Sequence, residues 1–219
     1  CLIFAKDHHN MSTVKPSIPK GTRDFSPVVI SKRNYLKAQL ASVFESFGFQ
    51  PIETPSFERS ETLLGKYGEE GDRLIFKILN SGEKIKNIDL QALQNGELSK
   101  FSNSLSQKAL RYDLTVPFAR YVAQHQNDIV FPFRRYQIQT VWRADRPQHG
   151  RFQEFLQCDA DVVGERSLWN EVEGVLLYDR AFTMLDLKGV QVHFNHRKIL
   201  AGVAQFIGAE SEFMNFTIA

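Results

Sequence analysis

Cysteine, methionine and tryptophan are scarce in this sequence: two, three and two residues among 219. The cysteines, Cys1 at the end of the chain and Cys158 inside a predicted strand, provide no disulfide framework and fit a reducing compartment. Metal-site spacings are missing as well. There is no CxxC and no HExxH, and the scattered histidines (His8, His9, His125, His149, His193, His196) leave His193 and His196 without ligand partners, so no metal centre is expected. No GxxxxGK occurs, which excludes a P-loop as the means of holding a nucleotide. No apolar run approaches the ~18 residues of a membrane span, and the few apolar residues before Lys6 are too short for a signal sequence. A cytoplasmic protein with no membrane attachment is therefore expected. Neither charge dominates: the net charge is +2, so a nucleic-acid partner would need a local basic patch or a further domain.

What is present is ordinary for a globular protein, with 42% hydrophobic and 24% charged residues, and the 18 phenylalanines point to an aromatic-rich core. The length suffices for one large domain. Residues 1–10 precede Met11-Ser12-Thr13 and read as a foreign or disordered leader, with the natural start at Met11. The closing FMNFTIA runs out in an apolar stretch, as a truncated chain would.

Periodicity sets the expected elements. Residues 12–27 are extended. A helix spans Ser31 to Phe47, with Leu36, Leu40, Val43, Phe44 and Phe47 on one face and Gly48 as its stop. FQPIETPSF (49–57), with two prolines, reads as an edge or interface strand. A Gly-rich loop (65–73), a strand over 74–79 and a polar excursion over 80–106 follow, the last with one short helix near Asp89 to Leu93. A strand resumes at Leu110 to Asp113, and Thr115 is placed to N-cap a helix to Gln126. Ser167 caps a helix to Leu185, with Leu168, Val172, Val175, Leu176 and Leu185 inward. Val190 to Phe194 is a strand. A last helix over His196 to Ile207 turns Ile199, Leu200, Val203 and Phe206 inward. Helices mixed with hairpin-type strands give an α+β fold.

The most informative stretch is 131–163. In RRYQIQTVWR (134–143), Tyr136, Ile138, Thr140 and Trp142 share one strand face, and Arg135, Gln137, Gln139 and Arg143 share the other. A charged loop, ADRPQHGR (144–151), leads to FQEFLQCDADVVG. There Leu156, Cys158, Ala160 and Val162 oppose Gln153, Phe155, Gln157, Asp159 and Asp161. A guanidinium, a flat ring, an amide and carboxylates on one side of a sheet suit a small ligand with a base, a phosphate and an N–H donor. A merely solvated sheet face accounts for the same alternation.

These residues resemble motif 2 of class II aminoacyl-tRNA synthetases, with Arg143-Ala144-Asp145 as its arginine–any residue–acid core. The longer string VWRADRPQHGRFQEFLQCDADVVG resembles the histidyl-tRNA synthetase version. LRYDLTVPFARY (110–121) is similar to that family's histidine-binding segment, FGFQPIETPSFE (47–58) to motif 1, and KGTRDF (20–25) to an N-terminal signature. Four motifs in order, over roughly residues 16–219, are far more specific than a lone RxD.

The resemblance implies a class II synthetase-like antiparallel sheet flanked by helices. It also implies a partial catalytic domain over 11–219, with motif 3 and an anticodon-binding domain missing and a fragment inactive alone. It implies ATP as substrate with Mg²⁺, L-histidine and tRNA(His) as partners, and a homodimer. Residue by residue, Arg143 matches the catalytic arginine on the α-phosphate, also close to histidine. Asp145, Arg151 and Phe155 match ATP contacts. Asp145 stands where many members have Glu, which leaves it a shorter reach. Asp113, Leu114, Thr115, Gln157 and Asp161 match histidine contacts, and Pro55 matches the motif 1 proline at the dimer interface. Two other readings fit less well. One is the synthetase-like regulatory subunit of ATP phosphoribosyltransferase, a non-catalytic binding module. The other is a class II synthetase for a different amino acid.

Overall fold

The structure, a computed structural model, describes residues 15–209, so the leader at 1–10 and the closing FMNFTIA lie outside the described residues. It divides into two compact units, one running to Arg166 and the other from Ser167.

The first unit opens with helix α1 (Pro27–Ser46). Pro27 starts it four residues ahead of the expected Ser31, because a proline in the first turn gives up no hydrogen bond. Gly48, at φ +78°, turns the chain out of the helix where a side chain would be strained. Strand β1 (Gln50–Pro51) follows, then β2 (Phe57–Arg59). The single predicted strand over 49–57 is thus two short ones. Its middle leaves the sheets because the Thr54 and Pro55 carbonyls are taken by the Arg111 guanidinium, at 2.6 and 3.1 Å.

Helices α2 (Ser60–Leu63) and α3 (Gly68–Arg73) come next. The second replaces part of the expected loop, and the Asp72 carboxylate accepts the Gly65 N–H at 2.7 Å to close it. Strand β3 (Lys77–Ile78) leads to a 3-10 turn (Gly82–Asn87), α4 (Leu90–Gln94) and α5 (Leu98–Leu105). The polar excursion is therefore largely helical. Asp89 caps α4 through the Ala92 N–H, at 2.9 Å. Leu98, Phe101 and Leu105 keep helical spacing in α5, a signal diluted by the Ser and Asn between them.

Strand β4 (Lys108–Leu110) lies two residues ahead of its expected start, and α6 (Thr115–His125) follows. Asp113, not Thr115, serves the start of α6: its carboxylate accepts the Val116 N–H at 3.2 Å. The unit closes with two ten-residue strands, β5 (Phe133–Trp142) and β6 (Glu154–Val163).

The strands form two three-stranded sheets, ordered β1-β5-β6 and β2-β4-β3. β1 runs parallel to β5, with Pro51 tolerated because β1 is an edge, and the other pairs are antiparallel. One core joins Val43 and Phe44 of α1 to Tyr136, whose ring stacks on Phe44 at 5.2 Å. A second packs Leu63, Ile75 and Ala109 with Tyr67, Tyr112 and Val116 around them. Arg120 of α6 clamps Glu58 of β2 at 2.6 and 3.3 Å, which binds the helix to the second sheet.

The second unit holds α7 (Trp169–Met184) and α8 (Arg197–Phe206). The predicted inward faces do not hold here. α7 buries Leu177 and Ala181 while Leu168, Val172, Val175 and Leu176 are exposed, and α8 buries Ala204 while Ile199, Val203 and Phe206 are exposed. An apolar stripe fixes which face favours burial, but only a facing surface buries it. Val190 to Phe194 forms no strand, having no neighbour among the described residues to pair with.

Candidate functional site

β5 and β6 pair over their full length. Arg135 faces Asp161, Gln137 faces Asp159, Gln139 faces Gln157 and Val141 faces Phe155. With period-two alternation these eight residues occupy one side of the sheet, as the sequence predicts. That side is not a solvated face: Arg135 is 0% and Gln137 1% exposed. The Phe118 ring of α6 lies 4.4 Å from the Arg135 guanidinium, and the Thr54 hydroxyl accepts from Gln137 at 3.1 Å. The predicted apolar side is the more open one, with Cys158 exposed.

At the far end of the hairpin, β5 and β6 splay into the loop 143–153. Its tip is pinched by paired backbone bonds between Gln148 and Arg151 at 3.0 and 3.3 Å. Its base is tied by Arg143 N–H to the Gln153 carbonyl (2.9 Å) and by Ala144 N–H to the Leu74 carbonyl (2.8 Å). These ties open a cleft of about 670 Å³, lined by Arg143, Asp145, Arg151 and Phe155 together with Arg23, Tyr67, Tyr112 and Phe152. Arg143 lies between two rings, 4.4 Å from Tyr112 and 5.3 Å from Phe155, and its Nε donates to the Tyr112 carbonyl at 3.1 Å. Arg151 faces Asp145 at 3.7 Å. All four residues matched to ATP contacts therefore meet in one hollow.

The residues matched to histidine contacts lie along the same sheet side and beside it. Asp161 takes a hydrogen bond from the buried Arg135, which also donates to the Leu114 carbonyl at 3.4 Å. That bond joins Asp161 to the 113–115 tripeptide. Asp113 accepts from the Tyr67 hydroxyl at 2.8 Å, which joins it to the cleft. Gln157 donates to both Asp159 oxygens at 2.9 Å, and its own Oε1 is buried with no partner among the described residues. A buried acceptor left open in this way suits a ligand N–H. Thr115 is exposed on the first turn of α6, and none of Asp113, Leu114, Thr115, Gln157 and Asp161 lines the cleft itself.

Burial sets the electrostatics. It pushes the Tyr67 phenol well above its ordinary range, reinforced by the bond to Asp113, so Tyr67 is a neutral donor. It raises the Asp159 carboxyl, an effect opposed by Gln157 and Arg135. Burial also lowers Arg135, against the pull of Asp161 and Asp159, yet a guanidinium stays charged. No group of three His, Cys, Asp or Glu side chains suited to a metal occurs among the described residues.

The sequence motifs assign no role to Tyr67, Tyr112 or Arg135. Tyr67 sits in a stretch that reads as loop. Arg135 was visible on the polar face, but its role depends on strand pairing.

A family profile described as histidyl-tRNA synthetase matches residues 21–88 and 89–216. The chain is 65% identical over 205 residues to a histidine–tRNA ligase of Christiangramia forsetii, covering 94% of this chain and 45% of that protein. It is 61% identical to one of Flavobacterium johnsoniae, covering 94% and 47%. It thus spans a little under half the length of these relatives. Among solved structures, a histidyl-tRNA synthetase from Nostoc sp. superposes with a TM-score of 0.68 at 33% identity, over 87% of this chain and 39% of that one. A Bacillus halodurans protein described as an ATP phosphoribosyltransferase regulatory subunit/histidyl-tRNA synthetase superposes at 0.62 with 24% identity, over 80% of this chain and 39% of that one, a likeness of fold alone.

Proposed function

The chain belongs to the histidyl-tRNA synthetase family, and from that premise we propose that it supplies the ATP- and histidine-binding residues of a histidine–tRNA ligase. The observation that carries this reading is the convergence of Arg143, Asp145, Arg151 and Phe155 on one cleft. In this reading Phe155 stacks on adenine, Asp145 meets the base end of ATP, and Arg151 meets the outer phosphates. Histidine sits beside Asp113, Leu114, Thr115, Gln157 and Asp161. Its carboxylate attacks the α-phosphorus of ATP, forming an acyl–phosphate bond and releasing pyrophosphate. The histidyl group then passes to the terminal ribose of tRNA(His), releasing AMP.

Negative charge gathers on the transferring phosphoryl group, and Arg143, fixed between two rings, is a donor that needs no rearrangement to stabilise it. Among the described residues, Asp145 is the one carboxylate lining the cleft, and it faces Arg151, so these ligands alone fit Mg²⁺ poorly. Mg²⁺ fits as a partner of the triphosphate oxygens, where it would neutralise charge. Gln157 Oε1 and the Asp161 carboxylate offer acceptors for the ammonium and imidazole N–H groups, and unpaired acceptors penalise side chains that lack them.

A homodimer follows from the same reading. Pro55 is exposed, and Arg111 holds its carbonyl, which fixes the motif 1 turn at the surface for a second copy. The compartment is the cytoplasm, in keeping with the scarcity of cysteine; no described helix is long and apolar enough to cross a membrane. The regulatory-subunit reading is weaker, since the Arg143 and QCDAD segments are intact.

ATP–pyrophosphate exchange by the full-length enzyme, run with each of the twenty amino acids, tests the proposal. Exchange that depends on histidine, with charging of tRNA(His), supports it. Exchange driven by another amino acid, or none at all, contradicts it.

A further inference from the structure

The KGTRDF segment has no part in the chemistry so far, yet the structure brings it to the cleft. Thr22 closes a turn on the Pro19 carbonyl through both its N–H and its hydroxyl, at 3.3 and 2.8 Å. The Gly21 carbonyl then accepts from the backbone N–H groups of Gln153 and Glu154, at 2.8 and 3.4 Å. Gly21 is at φ +80°, and a Cβ there would lie 2.7 Å from the Gln153 Cγ, so glycine permits both the conformation and the approach. Gln153 in turn donates to the Asp145 carbonyl at 2.9 Å. The segment is thereby hooked to the base of the loop that carries Asp145 and Arg151.

Two residues on, the Arg23 guanidinium lies 3.5 Å over the Phe152 ring and 5.1 Å from the Phe25 ring, and it lines the cleft. Stacking holds the plane of a guanidinium while leaving its N–H donors free at the edge. Among the described residues, no carboxylate or carbonyl takes those donors. Among the described residues, the cleft thus presents three guanidinium groups, Arg23, Arg143 and Arg151, against the single carboxylate of Asp145. That surplus suits a ligand carrying several negative charges beside a flat ring.

We propose that Arg23 is a third phosphate-binding arginine, which holds the outer phosphates of ATP and the pyrophosphate they become. The proposal rests on the reading of this cleft as the ATP site. Arg143 is the donor at the reacting phosphorus. Arg23 meets the part of the substrate that leaves, so its contribution is to nucleotide and pyrophosphate affinity rather than to the chemical step.

The test is steady-state exchange by the full-length enzyme carrying Arg23→Gln, Arg23→Lys or Arg143→Ala. Arg23→Gln keeps a planar group for the stack and removes the charge. Loss of one charged hydrogen-bonding group predicts about a tenfold rise in the KM for ATP and for pyrophosphate. The KM for histidine and the melting temperature stay unchanged, and Arg23→Lys recovers most of the affinity. An unaltered KM for ATP overturns the proposal. So does a variant that melts lower with the KM for histidine raised alongside that for ATP, or fails to fold, since Arg23 is then only an anchor. Exchange that survives Arg143→Ala removes the ATP reading of the cleft, and this proposal with it.

Discussion

Arg135 in β5 lies directly across the sheet from Asp161 in β6, and the two are joined by a hydrogen-bonded ion pair. The arginine is 0% exposed and the aspartate side chain 39%. That asymmetry makes the two ends of the bond unequal. Asp161→Ala strands a buried cation, whereas Arg135→Met fills the buried volume and leaves a carboxylate that reaches water. Removing one partner of a fully buried pair costs about 3–5 kcal/mol; because water reaches Asp161 and Arg135 keeps the Asp159 and Leu114 carbonyls, Asp161→Ala is expected to cost about 2–3 kcal/mol. Arg135→Met is expected to cost clearly less. Urea unfolding of both variants decides, and the reverse order contradicts the assignment of the charges.

Gly21→Ala probes the hook between the 20–25 segment and the loop. The left-handed backbone and the contact with Gln153 both oppose a side chain, and the substitution is expected to destabilise by about 1–2 kcal/mol. Hydrogen exchange at the Gln153 and Glu154 amides should rise with it. Unchanged protection there would mean that the hook does not hold the loop.

Asp113 and Thr115 separate by role. Asp113 accepts both the Val116 N–H and the Tyr67 hydroxyl. Asp113→Ala is therefore expected to cost about 1–2 kcal/mol through the lost cap and the orphaned phenol. Thr115→Ala should fall within ~0.5 kcal/mol of the parent, as exposed substitutions do. In the exchange assay the expectation differs, since both residues are matched to histidine contacts: each raises the KM for histidine. Equal thermal losses from the two would contradict the capping geometry.

Alkaline stability reports on Tyr136. Burial and the hydrogen bond to Glu45 push its phenol from 10.0 up to about 12. The folded chain keeps this proton at pH values where the unfolded chain releases it. The contribution is therefore complete below pH 10 and is lost as pH rises toward 12. Tyr136→Phe should flatten the fall in stability across that window. An equally steep profile in the variant would contradict the shift.

The helix boundary at Gly48, the face-sharing within each hairpin strand and the grouping of Arg143 with Phe155 were all legible in the sequence. Each depends on spacing within one segment or on glycine's backbone freedom. The burial of Arg135 and Gln137 was not, because polar alternation reads the same whether a sheet side meets water or a helix such as α6. Nor was the cap on α6, where Asp113 and Thr115 are both plausible acceptors and only the backbone geometry selects one. The openness of Val172 and Phe206 was hidden for a third reason. A sequence declares an apolar stripe, but the surface that would cover it belongs to another part of the fold.

In the proposed reaction the cleft at the end of β5 positions Arg143 to act on the α-phosphate of ATP. Histidine-dependent pyrophosphate exchange by the full-length enzyme carrying Arg143→Ala tests it most directly. A fall in kcat of about 10²–10³ with the fold intact is expected. Exchange at the parent rate would contradict it.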